Sequence, residues 1–162
     1  MKRTLFVDTN IIIEAHRTTC WSSLLARYEI HLVEEVFNEA LNGRKLRDGY
    51  VHVDRETLIA DTYVHAVTTM QLSTALAACA ALVNLDKGER DLLAFVHSCS
   101  EDAWFLSTAD RAAVKVAFTL GLRHRLLSLE EAAGTATIPL KSGYTKRVLD
   151  EICTECVLDS LT

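Results

Sequence analysis

The chain has 162 residues, 49% of them hydrophobic and 24% charged, with a formal net charge of −5. This length and usage suit one folded domain with a sizeable core and exclude a disordered, collagenous or low-complexity chain. The acidic balance argues against a simple basic nucleic-acid-binding module, but not against an acidic site holding a metal ion, because the ion inverts the local charge.

Residues 4–7, Thr-Leu-Phe-Val, form a short apolar run ending at Asp8. Such a run predicts a strand buried on both faces, as in a parallel sheet. Asp8, Thr9 and Asn10 can each cap free N–H groups, so a helix through Ile11–Ile13 is expected next. A second helix is expected over Trp21–Tyr28 and a second strand over Glu29–Val33. Glu34–Leu41 reads as a helix ended by Asn42-Gly43. Arg44–Gly49 reads as a charged loop, and Tyr50–Val53 alternates like a third strand.

Residues 56–84 repeat apolar positions at helical spacing (Ile59, Tyr63, Val67, Met70), which predicts one long helix or two joined near Gln71–Ser73. Lys87-Gly88 breaks the pattern, and Glu89–Ser98 resumes it as a helix. Ala103–Ser107 reads as a strand, Arg111–Leu120 as a helix stopped by Gly121, and His124–Ser128 as a last strand. Ser128 followed by Glu130 and Glu131 reads as a cap with first-turn acids. The segment 134–143 holds Gly134, Gly143 and the only proline, Pro139, and reads as a linker before a C-terminal helix, Tyr144–Leu158. Strands alternating with helices predict an α/β sandwich with a mainly parallel sheet and right-handed crossovers.

The opening segment lacks an apolar stretch of signal-peptide length, and the apolar-rich run Leu72–Leu85 is too short to span a bilayer. A cytoplasmic protein without a membrane anchor is expected. The five cysteines are odd in number and irregular in spacing, which argues against a disulfide framework, and the lone Cys153-x-x-Cys156 pair reads as helix packing. The six histidines show no paired ligand spacing, which argues against a zinc hydrolase.

Ligands of an open parallel sheet bind at the carboxyl ends of its strands. Asp8 falls at such an end, and Asp110 lies three residues past the strand ending at Ser107. Glu34, Glu35 and Glu39 follow the second strand, and Glu89 and Asp91 open a helix. Taken singly, each is explained equally well as a helix cap, a first-turn acid or a solvated face. Collected at one sheet edge, they would cost several kcal/mol per ion to bury without a cation, a cost that Mg²⁺ or Mn²⁺ with oxygen ligands removes. Such a site supports phosphodiester hydrolysis by a metal-activated water.

Four stretches resemble the motifs of the PIN-domain family, which includes the toxin ribonucleases of toxin–antitoxin modules. Leu-Phe-Val-Asp-Thr-Asn resembles the strand-one motif at Asp8, and Val-Phe-Asn-Glu-Ala-Leu-Asn-Gly the second motif, favouring Glu39 over Glu34 and Glu35. Gly-Glu-Arg-Asp-Leu-Leu resembles the third, with Asp91 the better match and Glu89 the close alternative. Phe-Leu-Ser-Thr-Ala-Asp resembles the fourth, at Asp110.

The resemblance spans roughly residues 3–128 and implies a three-layer α/β/α fold; the tail from Gly134 has no counterpart in it, and the chain is read as a nuclease domain over residues 1–133 with residues 134–162 a linker and helix packed on it. The resemblance implies Asp8, Glu39, Asp91 and Asp110 as the catalytic acids. The metal set implied adds Glu89 to these four. Thr9, Asn10 and Thr108 would be polar neighbours, the metal Mg²⁺ or Mn²⁺, and the substrate single-stranded RNA. An antitoxin-like partner belongs to the same expectation. The apolar excess and the small-residue run Ala75–Ala81 suggest a homodimer or partner surface and fit equally well in the core. Arg111 and Lys115, four apart beside Asp110, are candidate substrate contacts; a solvated helix face explains them equally well. Single-stranded DNA remains open as substrate. Two alternatives stay open for the whole chain: a catalytically inactive PIN-like interaction module, and a phosphatase using Asp8 as nucleophile, although Asn10 stands where that class has a second Asp.

Overall fold

The computed structural model describes residues 2–42, 51–100, 102–134 and 144–159. Strand β1 (Arg3–Val7) is the apolar run read from the sequence, with Leu5, Phe6 and Val7 all buried. It occupies an interior position, between β2 (Tyr28–Val33) and β4 (Trp104–Ser107), with β3 (Thr62–His65) outside β2. The order is β3-β2-β1-β4, and all three pairings are parallel. Leu5 is level with Ile30 on one side and Phe105 on the other, and Val7 with Ser107. Burial on both faces explains why β1 reads as continuously apolar.

Helices α1 (Thr9–Arg17) and α2 (Trp21–Arg27) link β1 to β2, and α3 (Glu34–Asn42) and α4 (Arg55–Asp61) link β2 to β3. Both steps move towards the same sheet edge. The connection from β3 returns across the sheet to β4 through α5 (Thr69–Ala78), a 3₁₀ turn (Ala80–Asn84) and α6 (Lys87–His97). Right-handed crossovers in opposite directions fall on opposite faces, so the protein is a three-layer α/β/α sandwich around an all-parallel sheet.

Helix α7 (Arg111–Thr119) follows β4, then a 3₁₀ turn (Arg123–Arg125), α8 (Leu129–Ala133) and α9 (Tyr144–Asp159). Leu126 makes a single parallel bridge to Leu106, so the strand expected at His124–Ser128 is reduced to one bridging residue. Capping boxes start α5 (Thr68 with Gln71) and α8 (Ser128 with Glu131). Gly134 ends α8 in the left-handed region, φ 62°.

The core is one cluster in which Leu5, Ile11, Ile12, Leu24, Ile30, Leu32, Leu92, Leu93 and Leu106 are essentially inaccessible. Each such side chain contributes about 1.5–3 kcal/mol on burial. Ile11 and Ile12 pin α1 against the sheet one turn after Asp8, which holds the end of β1 in place.

The third strand is corrected. No strand forms at Val51–Val53; Tyr50 and the loop Arg44–Gly49 lie outside the described residues, as does 135–143 of the linker. The strand is Thr62–His65, inside the segment expected to be helical. Thr62, Tyr63 and Val64 are β-branched or aromatic and suit a pleated edge. Sheet pairing to Ile30–Val33 overrides the helical spacing of Ile59, Tyr63 and Val67. Among the described residues, Cys20, Cys79 and Cys153 are free thiols; the Cys156 side chain lies outside them. Also among the described residues, no helix is long and apolar enough to cross a membrane.

Candidate active site

The sheet's carboxyl edge delivers Asp8 and Asp110 to neighbouring positions because β1 and β4 pair directly. The amide of Asp8 donates to the Ser107 carbonyl at 3.3 Å, tying the two strand ends together. Asp8 is 1% exposed. It is both a helix cap and a site acid: Ile11 N–H donates to Oδ1 at 2.9 Å, while the Thr108 hydroxyl donates to Oδ2. Asp110 caps α7 through Ala113 N–H at 2.8 Å. Its own amide donates to Thr108 Oγ1 at 3.3 Å. Thr108, 3% exposed, therefore links both aspartates.

Glu39 approaches from α3. Thr9 Oγ1 donates to its Oε2 at 2.7 Å and Gly88 N–H to its Oε1 at 3.2 Å. A Cβ on residue 88 would lie 2.5 Å from Oε2, so only glycine lets α6 come this close to the carboxylate. A cleft of about 120 Å³ is lined by Asp8, Thr9, Asn10, Glu39, Asp86 and Glu89. None of these residues is basic.

The acids feel one another. Burial pushes the Asp8 carboxyl up to about 6, against the lowering effect of the Thr108 and Ile11 hydrogen bonds, and the Asp110 charge adds to the rise. Glu89 is pushed up to about 8, first by burial and then by the charges of Asp110, Asp8 and Asp86. The N-termini of α1, α6 and α7 meet here and offset part of the negative charge through their dipoles.

Of the two acids that open α6, Glu89 is the one at the cleft. Asp91, the better match to the third motif, is not among the lining residues. It lies 3.8 Å from Lys87 Nζ and 3.4 Å from Arg90 Nε. Glu34 and Glu35 do not line the cleft either, and Glu35 accepts from the Lys87 ammonium. Asp86, the residue before α6, also lines the cleft; it belongs to none of the four motif stretches, and its signal in the sequence is an Asp before a Lys-Gly helix start. Gly88, a pattern break in the sequence, is where α6 approaches Glu39.

Arg111 and Lys115 do not stand free beside the site. Glu151 and Glu155 of α9 engage both of them. The histidines also differ from their sequence spacing, because the register of β2 on β3 brings His31 Nδ1 to 2.9 Å from His65 Nε2, within a ring cluster with Phe6 and Phe95.

Among the described residues, no three His, Cys, Asp or Glu side chains stand close enough together to hold a metal ion as a ready-made cage. The donor chemistry still fits a hard divalent cation. Mg²⁺ keeps several waters and binds through one or two carboxylates, and the residues lining the cleft are oxygen donors with no His or Cys among them. The Asp8 and Glu89 carboxyls are raised by burial first and by neighbouring acids second, and a cation would favour their charged forms. No protein-family model matches the chain, and no curated protein matches it.

Proposed function

We propose that this chain is a Mg²⁺- or Mn²⁺-dependent endoribonuclease of the PIN type that hydrolyses phosphodiester bonds of single-stranded RNA. The observation that carries the proposal is that Asp8, Glu39 and Glu89 line one cleft at the carboxyl edge of a parallel sheet, with Asp110 following the adjacent strand, and that burial and neighbouring acids raise the Asp8 and Glu89 carboxyls.

One or two of these acids would hold the ion directly, with water completing its shell, and the ion when bound supplies charge stabilisation to phosphate and an activated water. The protein's own part is positioning. Thr108 fixes Asp8 Oδ2 and the start of the Asp110 turn. Thr9 and the Gly88 amide fix the two oxygens of Glu39. Ile11 N–H holds Asp8 Oδ1. Asp8 and Asp110 are thus held at a strand end and a helix start, and Glu39 within α3. An aspartate-nucleophile phosphatase fits less well, because Asp8 is buried and both its oxygens already accept hydrogen bonds.

The test is cleavage of a mixed single-stranded RNA pool by the purified chain with Mn²⁺, Mg²⁺ or EDTA. Metal-dependent cleavage is expected, and Asp8→Asn should reduce it by at least about a hundredfold, the upper end of the loss seen when a supporting shell is removed, with the fold intact by circular dichroism. Undiminished metal-dependent cleavage by the folded Asp8→Asn protein overturns the mechanism. A folded wild-type chain that neither binds Mn²⁺ nor cuts RNA would be the non-catalytic module instead.

A further inference from the structure

The two cations beside the acid cluster carry a contact that the cleavage chemistry does not use. Arg111 is the first residue of α7, directly after Asp110, and Lys115 lies one turn along the same face. Glu151 and Glu155, also four apart, lie opposite them on α9. Arg111 Nη1 meets Glu151 Oε2 at 2.6 Å, Arg111 Nη2 meets Glu155, and Lys115 Nζ meets Glu155 Oε2 at 2.9 Å.

We propose that the acidic face of α9 is an intramolecular occupant of a phosphate-binding patch formed by Arg111 and Lys115, and that it competes with RNA for that patch. The identity of the competing ligand rests on the ribonuclease reading of the neighbouring site. The chemistry of the two ligands is the same: a guanidinium donates to carboxylate or phosphate oxygens through the same fork of N–H groups. The contact is also built to be displaced. All four side chains are between 41% and 51% exposed, and ion pairs this exposed are screened by water and hold weakly.

The helix itself is anchored separately. Ile152, between the two glutamates in sequence, is 0% exposed, and Lys146 N–H donates to Glu130 of α8 at 3.2 Å. The acidic face can therefore let go of α7 while the helix stays docked, and neutralising the glutamates leaves the apolar anchor in place. Glu155, held below the usual carboxylate range by its Lys115 hydrogen bond and the neighbouring cations, remains charged across the working pH range.

The experiment measures binding of a fluorescein-labelled single-stranded RNA to the full chain in EDTA, so that affinity is read without cleavage. The E151Q/E155Q chain should bind on the order of tenfold tighter in ~50 mM salt. Its log–log salt dependence should steepen by about 1.4, the increment for two further phosphate contacts on a single strand. Each single variant should give an intermediate gain, which keeps the test usable if the double variant is unstable. Adding R111Q/K115Q should remove the gain.

Equal affinity and slope in E151Q/E155Q and the unaltered chain overturn the proposal, as does a gain that survives R111Q/K115Q, which would reflect net charge alone. Absence of RNA binding in every variant also overturns it. A gain in RNA binding without Mn²⁺-dependent cleavage by the Asp8-intact chain leaves the α9 proposal standing and removes the nuclease reading. Cleavage without the gain does the reverse.

Discussion

Replacing Glu89 by Gln removes a charge and keeps the shape, so it isolates the electrostatic cost of the acid cluster. In the folded chain the Glu89 carboxyl is raised from 4.5 to about 8. A raised acid binds its proton more tightly folded than unfolded. Its contribution to stability is therefore fully present below about pH 4.5 and is lost as pH rises through about 8. Gln stays neutral throughout and loses nothing. Because Glu89 is only half-buried, solvent screens the effect, and the difference at pH 8.5 is on the order of 1–2 kcal/mol. For a chain of this size each kcal/mol moves Tm by roughly 2–4 °C.

Thermal or urea unfolding in EDTA should therefore show Glu89→Gln and wild type equal near pH 4.5, with the variant progressively more stable towards pH 8.5. The Asp8 contribution is largely common to both proteins, so the difference reports mainly on Glu89. Added Mn²⁺ should reverse the order at pH 8.5, stabilising wild type more than the variant and releasing protons as it binds. Parallel pH profiles in EDTA, or a variant less stable at pH 8.5, would refute the idea that Glu89 faces Asp8, Asp86 and Asp110 uncompensated.

Gly88→Ala forces the Glu39 carboxylate away from a Cβ that would sit 2.5 Å from it. The helix-propensity gain of up to about 1 kcal/mol is offset by lost hydrogen bonds of similar size, so stability should change by less than about 1 kcal/mol. Mn²⁺ affinity by calorimetry should still fall at least about tenfold and recover in part with Glu39→Asp, which shortens the acid. Asp91→Asn should leave Mn²⁺ affinity within about threefold of wild type while Glu89→Gln lowers it by about tenfold or more; equal losses would return Asp91 to the site. Thr108→Val removes the donor to Asp8 and raises its carboxyl further. The pH midpoint of Mn²⁺ binding should rise in Thr108→Val and return in Thr108→Ser, and an unmoved midpoint would show that the hydroxyl does not tune Asp8.

Much of this architecture is legible in the order of residues. An apolar run ending in Asp8, followed by capping residues, can be read as a buried strand turning into a helix, because strand burial and capping are local properties. The alternation of strand and helix signals carries the parallel α/β class for the same reason. It also places acids from four distant segments where one sheet edge could collect them.

What the order of residues does not decide is which way a helix faces. Glu89 and Asp91 are two positions apart, about 200° around α6, so only one can face the cleft. In the folded helix Glu89 lines the cleft, while Asp91 is buried beside Leu92 and Leu93 and pairs with Lys87 and Arg90. The third strand, at Thr62–His65 instead of Tyr50–Val53, is likewise decided by its pairing with Ile30–Val33. Tertiary packing alone brings His31 to His65, Gly88 beneath Glu39, and Glu151 and Glu155 onto Arg111 and Lys115. Asp8 is the opposite case. Its place follows from its immediate neighbours in the chain, and the fold adds the partners, Thr108, Glu89 and Asp110, that turn a helix cap into a candidate site.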